Sequence, residues 1–146
     1  MFSFEFLNHN YMSTMHVDYL GGLRNEASHY SGSKLITDAP VDNNGKGESF
    51  SPTDLLCTSL ATCMITIMGI RARKLKVPFE GVKAGIKKFM GENPRRVIKV
   101  EIILDMPPSL ESAPEREEIE QAGLHCPVAL SLHPDLEQAI TFRYSR

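Results

Sequence analysis

The chain has 146 residues, with 16 Lys and Arg against 18 Asp and Glu, a formal net charge of −2 and three cysteines. That length supports one domain with a real core, and the near-neutral balance removes the electrostatic case for nucleic acid or an acidic membrane surface as partner. Three cysteines without a signal-like leader point to a reducing, cytoplasmic setting rather than a disulfide scaffold.

The opening MFSFEFLNHNYMS has no basic region and no long apolar stretch, so it does not read as a signal sequence. It reads as an extension over residues 1–14, ahead of a domain over 15–146. Residues 16–20 and 23–30 read as short strands around Gly21-Gly22, a hairpin signal. Ser31-Gly32-Ser33 makes a second turn, and residues 34–38 a third strand. Arg24, just past the first turn, reads by itself as a solvated strand-end arginine. Residues 39–50 form a loop rich in Asp, Asn and Gly. The loop lacks the glycine spacing and the Lys-Ser/Thr ending of a phosphate loop. Glu48, near its end, reads as an exposed charge or a partner for the helix end.

Residues 51–75 are predicted as a long helix. Ser51 is placed to cap it, Pro52 suits the first helical position, and Asp54 lies in the first turn near the positive helix end. From 55 to 70 there is no charge, and apolar residues point all round the axis, which predicts a buried helix. Ser, Thr and Gly interrupt the run, and it falls short of the roughly 18 apolar residues of a membrane span, so the reading is a core helix. Arg71, Arg73, Lys74 and Lys76 gather at the negative end, and Pro78 follows.

Residues 82–90 and 96–106 read as strands joined by a Gly91-Glu92-Asn93-Pro94 turn. In the second, Ile98, Val100, Ile102, Leu104 and Met106 alternate onto one face. Residues 112–124 read as a charged helix with Ile119, Ala122 and Gly123 on its packed side. Residues 127–132 read as a short helical segment and 137–144 as a last strand. Strand runs broken by helices, without regular βαβ alternation, argue for an α+β fold.

The chemistry-bearing residues are the cysteines. Cys57 and Cys63 stand six apart on one helix, about 9 Å of rise and roughly 120° off a common face. A disulfide needs Cα atoms closer than about 7 Å, so these two do not pair in an intact helix, and Cys57 reads as a structural thiol. Cys63 alone reads as a small core hydrophobe. Cys126 stands just before Pro127, at a predicted helix N-terminus where the dipole favours a thiolate; a capped, inert thiol is the competing reading. No CxxC or HxxxH pair supports zinc or a thioredoxin-like site. A Cys-His hydrolase using Cys63 or Cys126 with His125 or His133 lacks an oxyanion signature, and adjacent residues rarely face each other.

The segments FSPTDLLCTSLATCM and HCPVALSLHPDLE, in that order, resemble the two cysteine segments of the OsmC/Ohr family. LGGLRNEASH, the GKGE loop and the closing strand resemble it too, so the similarity runs from about residue 15 to 144. The resemblance implies an OsmC-like fold, with antiparallel sheets around a long buried central helix in an intertwined homodimer. It implies a thiol peroxidase that reduces organic hydroperoxides, and hydrogen peroxide less well, without a cofactor. Cys63 matches the peroxidatic position, Cys126 the resolving position, and Arg24 the arginine that assists the thiolate. The reductant is then a small thiol or a lipoyl-type partner. One position departs: organic hydroperoxide resistance members carry a glutamate ten residues before the first cysteine, where this chain has Thr53. Glu48 and Asp54 are the available substitutes for orienting the arginine, with Glu48 preferred. The alternative is a non-catalytic homodimer of the same fold that binds a small hydrophobic ligand.

Overall fold

The computed structural model describes residues 13–144, so the extension expected over 1–14 lies almost wholly outside the described residues. The element order is β1 (Met15–Gly21), β2 (Arg24–His29), β3 (Lys34–Asp38), α1 (Pro52–Leu75), β4 (Lys83–Gly91), β5 (Arg96–Asp105), α2 (Arg116–Leu124), α3 (Pro127–Ser131) and β6 (Glu137–Arg143). This is the α+β arrangement expected. The chain divides into two compact units, one ending at Pro52 and one beginning at Thr53.

The first unit is an antiparallel sheet in the order β1-β2-β3. Gly21 pairs with Arg24, so the first hairpin turns on Gly22 and Leu23 at φ 60° and 63°, one residue later than the Gly21-Gly22 signal places it; glycine enters this left-handed region without a Cβ penalty. The β2–β3 register sets Arg24 directly opposite Asp38. The loop after β3 folds back onto its own sheet. The Asp38 N–H donates to the Phe50 carbonyl at 3.0 Å, and Ser49 Oγ donates to the Ile36 carbonyl at 2.7 Å.

The second unit holds a sheet in the order β4-β5-β6. β4 and β5 form the expected antiparallel hairpin, whereas β5 and β6 are parallel. This corrects the expectation of purely antiparallel sheets. The connection through α2 and α3 is long enough to carry the chain back to the starting end of β5, as a parallel pair requires. Leu60, Met64 and Met68 of α1 pack in one apolar cluster with Val100, Ile102 and Leu104 of β5.

The face expected for β5 is correct from Val100 onward and wrong at its start. Val97 is buried and Ile98 exposed. The register shifts between Phe89 and Met90, which pair with Lys99 and Val97, so Ile98 is the extra residue of a bulge. A bulge reverses the alternation on one side of it, and no period-2 count detects that. Similarly, α2 begins at Arg116 rather than near residue 112, because a proline at 114 biases Ala113 away from helical geometry.

α1 spans the expected residues but buries one stripe only: Cys57, Leu60, Ala61, Met64, Met68 and Ala72. Leu56 and Ile70 are exposed on the single chain. The all-round burial expected of this helix is therefore not met within one chain. Its C-terminus closes with Lys76 N–H donating to Arg73 O at 3.2 Å and Val77 N–H to Ala72 O at 2.9 Å. That double closure is a Schellman motif, with Lys76 at φ 57° where glycine is usual. Lys76→Gly relieves the left-handed cost of roughly 1–2 kcal/mol against a backbone entropy loss of roughly 0.5–1 kcal/mol. The melting temperature, followed by circular dichroism, is expected to rise by about 2–4 °C.

α2 approaches α1 closely at Gly123. A Cβ there would lie 2.8 Å from Met68 Cγ and 2.9 Å from its Sδ. Gly123→Ala gains about 1 kcal/mol of helix propensity but overpacks a full core at roughly 1–3 kcal/mol. Net destabilisation is expected, read as a lower denaturant midpoint at unchanged m-value.

Candidate active site

The second unit brings two of the three thiols together. Cys63 is half-buried on α1, and Cys126 is fully buried as N-cap of α3. The Cys63 side chain lies near enough to the Cys126 thiol to act on its ionisation, and the two are not joined in a disulfide. Pro127 opens α3, and Cys126 holds an extended backbone at φ −66° and ψ 153°. Its Sγ accepts a hydrogen bond from the Ala129 N–H at 3.4 Å.

The expected thiolate-favouring effect at Cys126 is present but loses. Burial pushes the thiol up, the Ala129 N–H pulls it down, and the neighbouring Cys63 pushes it up again, with the net shift upward. α3 has five residues, too short for a full macrodipole, while desolvation of the anion acts in full. Cys126 is thus a protonated donor beside Cys63 at neutral pH. Cys57 is also buried, and burial raises it; Lys88 acts against that shift and Asp54 with it. This fits the structural thiol expected.

His125 Nδ1 donates to the Gln121 carbonyl at 2.9 Å with its ring exposed. His133 Nδ1 accepts from the Asp135 N–H at 3.1 Å, also exposed. Both rings are therefore engaged with local backbone. Among the described residues, no group of three His, Cys, Asp or Glu is arranged to hold a metal ion.

The first unit builds an arginine cluster. Arg24 Nη2 forms ion pairs with Glu48 Oε2 and, at 3.4 Å, with Asp38 Oδ2. Asp38 Oδ2 also accepts the Glu48 backbone N–H at 2.9 Å. The Arg24 side chain is 33% exposed, Glu48 55% and Asp38 0%. Arg24 is raised first by its bond to Glu48, then by that to Asp38. Asp38 is held below the usual carboxylate range, first by the Glu48 N–H and then by Arg24. Arg24 is thus a held cation and not a freely solvated strand end.

Asp54, the other expected substitute, serves elsewhere. Lys88 Nζ on β4 donates to Asp54 Oδ1 at 2.6 Å and to Thr53 Oγ1 at 2.8 Å. Thr53, at the position of the missing glutamate, is therefore engaged by a lysine. Sequence reasoning missed Asp38 and Lys88. The Ser31-Gly32-Ser33 turn signals the β2–β3 pairing, but counting outward from it sets Pro40 opposite Arg24, two residues past the observed Asp38. No comparable local signal links Lys88 to residues 34 and 35 positions earlier.

The OsmC-like protein family model matches residues 45–140. A candidate osmotic stress induced and detoxification response protein from Psychrobacter arcticus 273-4 is 45% identical, with 94% of this chain and 100% of that chain covered and a TM-score of 0.84. An OsmC-like protein from Mycoplasma pneumoniae is 15% identical, with 92% and 96% covered and a TM-score of 0.71. The organic hydroperoxide resistance protein OsmC from Legionella pneumophila is 17% identical, with 92% and 98% covered and a TM-score of 0.66. The comparison with curated proteins finds no match. The family match over most of the chain, with the near-complete structural overlap, places this chain in the OsmC-like protein family.

Proposed function

We propose that this protein is a thiol-dependent peroxidase for organic hydroperoxides, with weaker action on hydrogen peroxide. One observation carries the reading: Cys63 of α1 and Cys126, the N-cap of α3, lie close enough for Cys63 to act on the Cys126 thiol. The hydroperoxide resistance relatives of the same fold point to the substrate class. The Cys63 thiolate attacks one peroxide oxygen, the O–O bond breaks, and the alkoxide leaves with a proton as an alcohol. Cys63 is left as a sulfenic acid. The Cys126 sulfur then attacks the Cys63 sulfur, expelling water and forming a disulfide. An external thiol or lipoyl-type dithiol reopens the bond by exchange and carries away the two electrons.

Arg24 supplies the positive charge that keeps the Cys63 thiolate available, since a guanidinium stays ionised throughout. Glu48 orients that arginine. The protein acts as a homodimer in the cytoplasm. Exposed Met15, Val17 and Tyr19 on β1, with Leu56 and Ile70 on α1, give apolar surface for a second copy to cover. Size-exclusion chromatography with light scattering is expected to return twice the 16.3 kDa chain mass; a monomer at micromolar concentration contradicts the dimer.

A non-catalytic ligand-binding homodimer is the second reading. The engaged Thr53 favours it, as does a groove of about 440 Å³ in the second unit, lined by Ile65, Ile70, Val77 and Phe79 among others. Cumene hydroperoxide consumption with dithiothreitol as donor separates the two. Turnover that survives in wild type and is lost in Cys63→Ser supports the peroxidase. No turnover in wild type leaves the binding reading.

A further inference from the structure

Among the described residues, Asp38 is the one charged side chain that is buried. A buried carboxylate costs desolvation energy unless it is paired and hydrogen-bonded. Its Oδ2 does the work of both bonds, meeting Arg24 Nη2 and the Glu48 N–H, while Oδ1 has no hydrogen-bond partner among the described residues. The single engaged oxygen touches both the arginine and the loop that carries Glu48.

The two carboxylates around Arg24 differ in what holds them. Glu48 is an exposed side chain on a loop, so its ion pair is open to salt screening and exchange with water. Asp38 is wholly buried, sits directly opposite Arg24 in the β2–β3 register, and has its own N–H tied to Phe50 O. It cannot leave without disturbing the sheet.

We propose that Asp38 is the positioning residue for Arg24, fixing the guanidinium through the ion pair and Glu48 through the loop amide. The arginine then keeps its place whenever Glu48 lets go. The inference rests on the peroxidase reading, in which Arg24 supports the Cys63 thiolate.

The test uses full-length wild type, D38N, E48Q, R24M and R24M/D38N. Solvent exchange of the Arg24 Nε–H, followed by nitrogen-15 NMR, is expected to speed up about tenfold or more in D38N and less in E48Q. Alkylation of Cys63 by iodoacetamide at neutral pH is expected to slow about tenfold in D38N. The sign is diagnostic, because removing a negative charge that acted only through space would favour the thiolate and speed alkylation. R24M/D38N is expected to match R24M, since Asp38 acts through Arg24. Should D38N not fold, wild type alone decides: a buried anchor leaves the Arg24 exchange nearly unchanged at about 0.5 M salt, whereas an anchor at Glu48 alone is screened.

Unchanged Arg24 exchange in D38N, faster alkylation, additive effects in the double variant, or strong salt dependence in wild type would each overturn the assignment. Absent peroxide turnover in wild type overturns the peroxidase reading instead, while the exchange data still decide whether Asp38 holds Arg24.

Discussion

Cys63→Ser should remove peroxide turnover almost completely, with a fall of at least about 1,000-fold in kcat/KM for cumene hydroperoxide. A serine hydroxyl is not ionised near neutral pH and is a poor nucleophile toward an O–O bond, so no step of the proposed sequence can begin. Nearby thiols do not compensate. Cys57 is buried with its thiol pushed up, and Cys126 is buried, pushed up and already engaged with Ala129 N–H. The substitution changes one atom at a half-buried site, so stability should shift by less than about 1 kcal/mol. Lost activity with an unchanged melting curve is the expected pair of results. Turnover retained above about a tenth of wild type would move the nucleophile elsewhere.

Cys126→Ser should fail differently. The first chemical step survives, so the variant should reduce one equivalent of peroxide and then stall when no thiol reductant is present. The product is a Cys63 sulfenic acid, seen as a mass gain of about 16 Da, passing to about 32 Da as the sulfinic acid under excess peroxide. With dithiothreitol present, direct reduction of the sulfenic acid restores part of the flux, and steady-state turnover should fall by about 10–100-fold. The upward shift of Cys126 adds a pH signature in wild type. The sulfur attacks better as its anion, so disulfide closure should accelerate as pH rises through and beyond the ordinary thiol range. A stopped-flow closure rate that is flat with pH would contradict this.

The same shifts set the pH limits of stability. Cys57 and Cys126 have folded-state thiols raised by burial. Above the ordinary thiol pKa of about 8.5 the unfolded chain releases protons that the folded chain retains, so stability falls as pH rises there. Asp38 and Asp105 are lowered, Asp38 first by the Glu48 N–H and Asp105 first by Arg143. Their contribution is complete above the ordinary carboxylate range and is lost as pH falls through their depressed folded values. Denaturant midpoints should therefore be highest between these two edges.

Local chemistry made most of the elements legible in the sequence. The Gly21-Gly22 turn, the Ser51-Pro52 start of α1, and the Asn93-Pro94 turn are short-range signals, and each structural boundary falls within a few residues of them. What escaped was non-local. The parallel β6 depends on how far α2 and α3 carry the chain. The bulge at Ile98 depends on the register of β4 against β5. The outward faces of α1 read as buried because composition cannot say whether burial comes from the same chain. At the site, Cys63, Cys126, Arg24 and Glu48 were reached by resemblance, and the structure brings them together as two pairs. Asp38 was passed over as an ordinary strand end because its importance lies in a cross-strand partner and a loop amide. The N-cap position of Cys126 was anticipated, and between its two readings, favoured thiolate and capped thiol, burial in the folded core decides for the protonated one.

The most direct measurement is peptide mass mapping of the reduced wild-type protein after one equivalent of cumene hydroperoxide, with remaining thiols alkylated at once. The expected result is a mass loss of about 2 Da, a single cross-link between the peptides carrying Cys63 and Cys126, and Cys57 recovered alkylated after denaturation. Recovery of all three cysteines as free thiols, or a cross-link that includes Cys57, would contradict it.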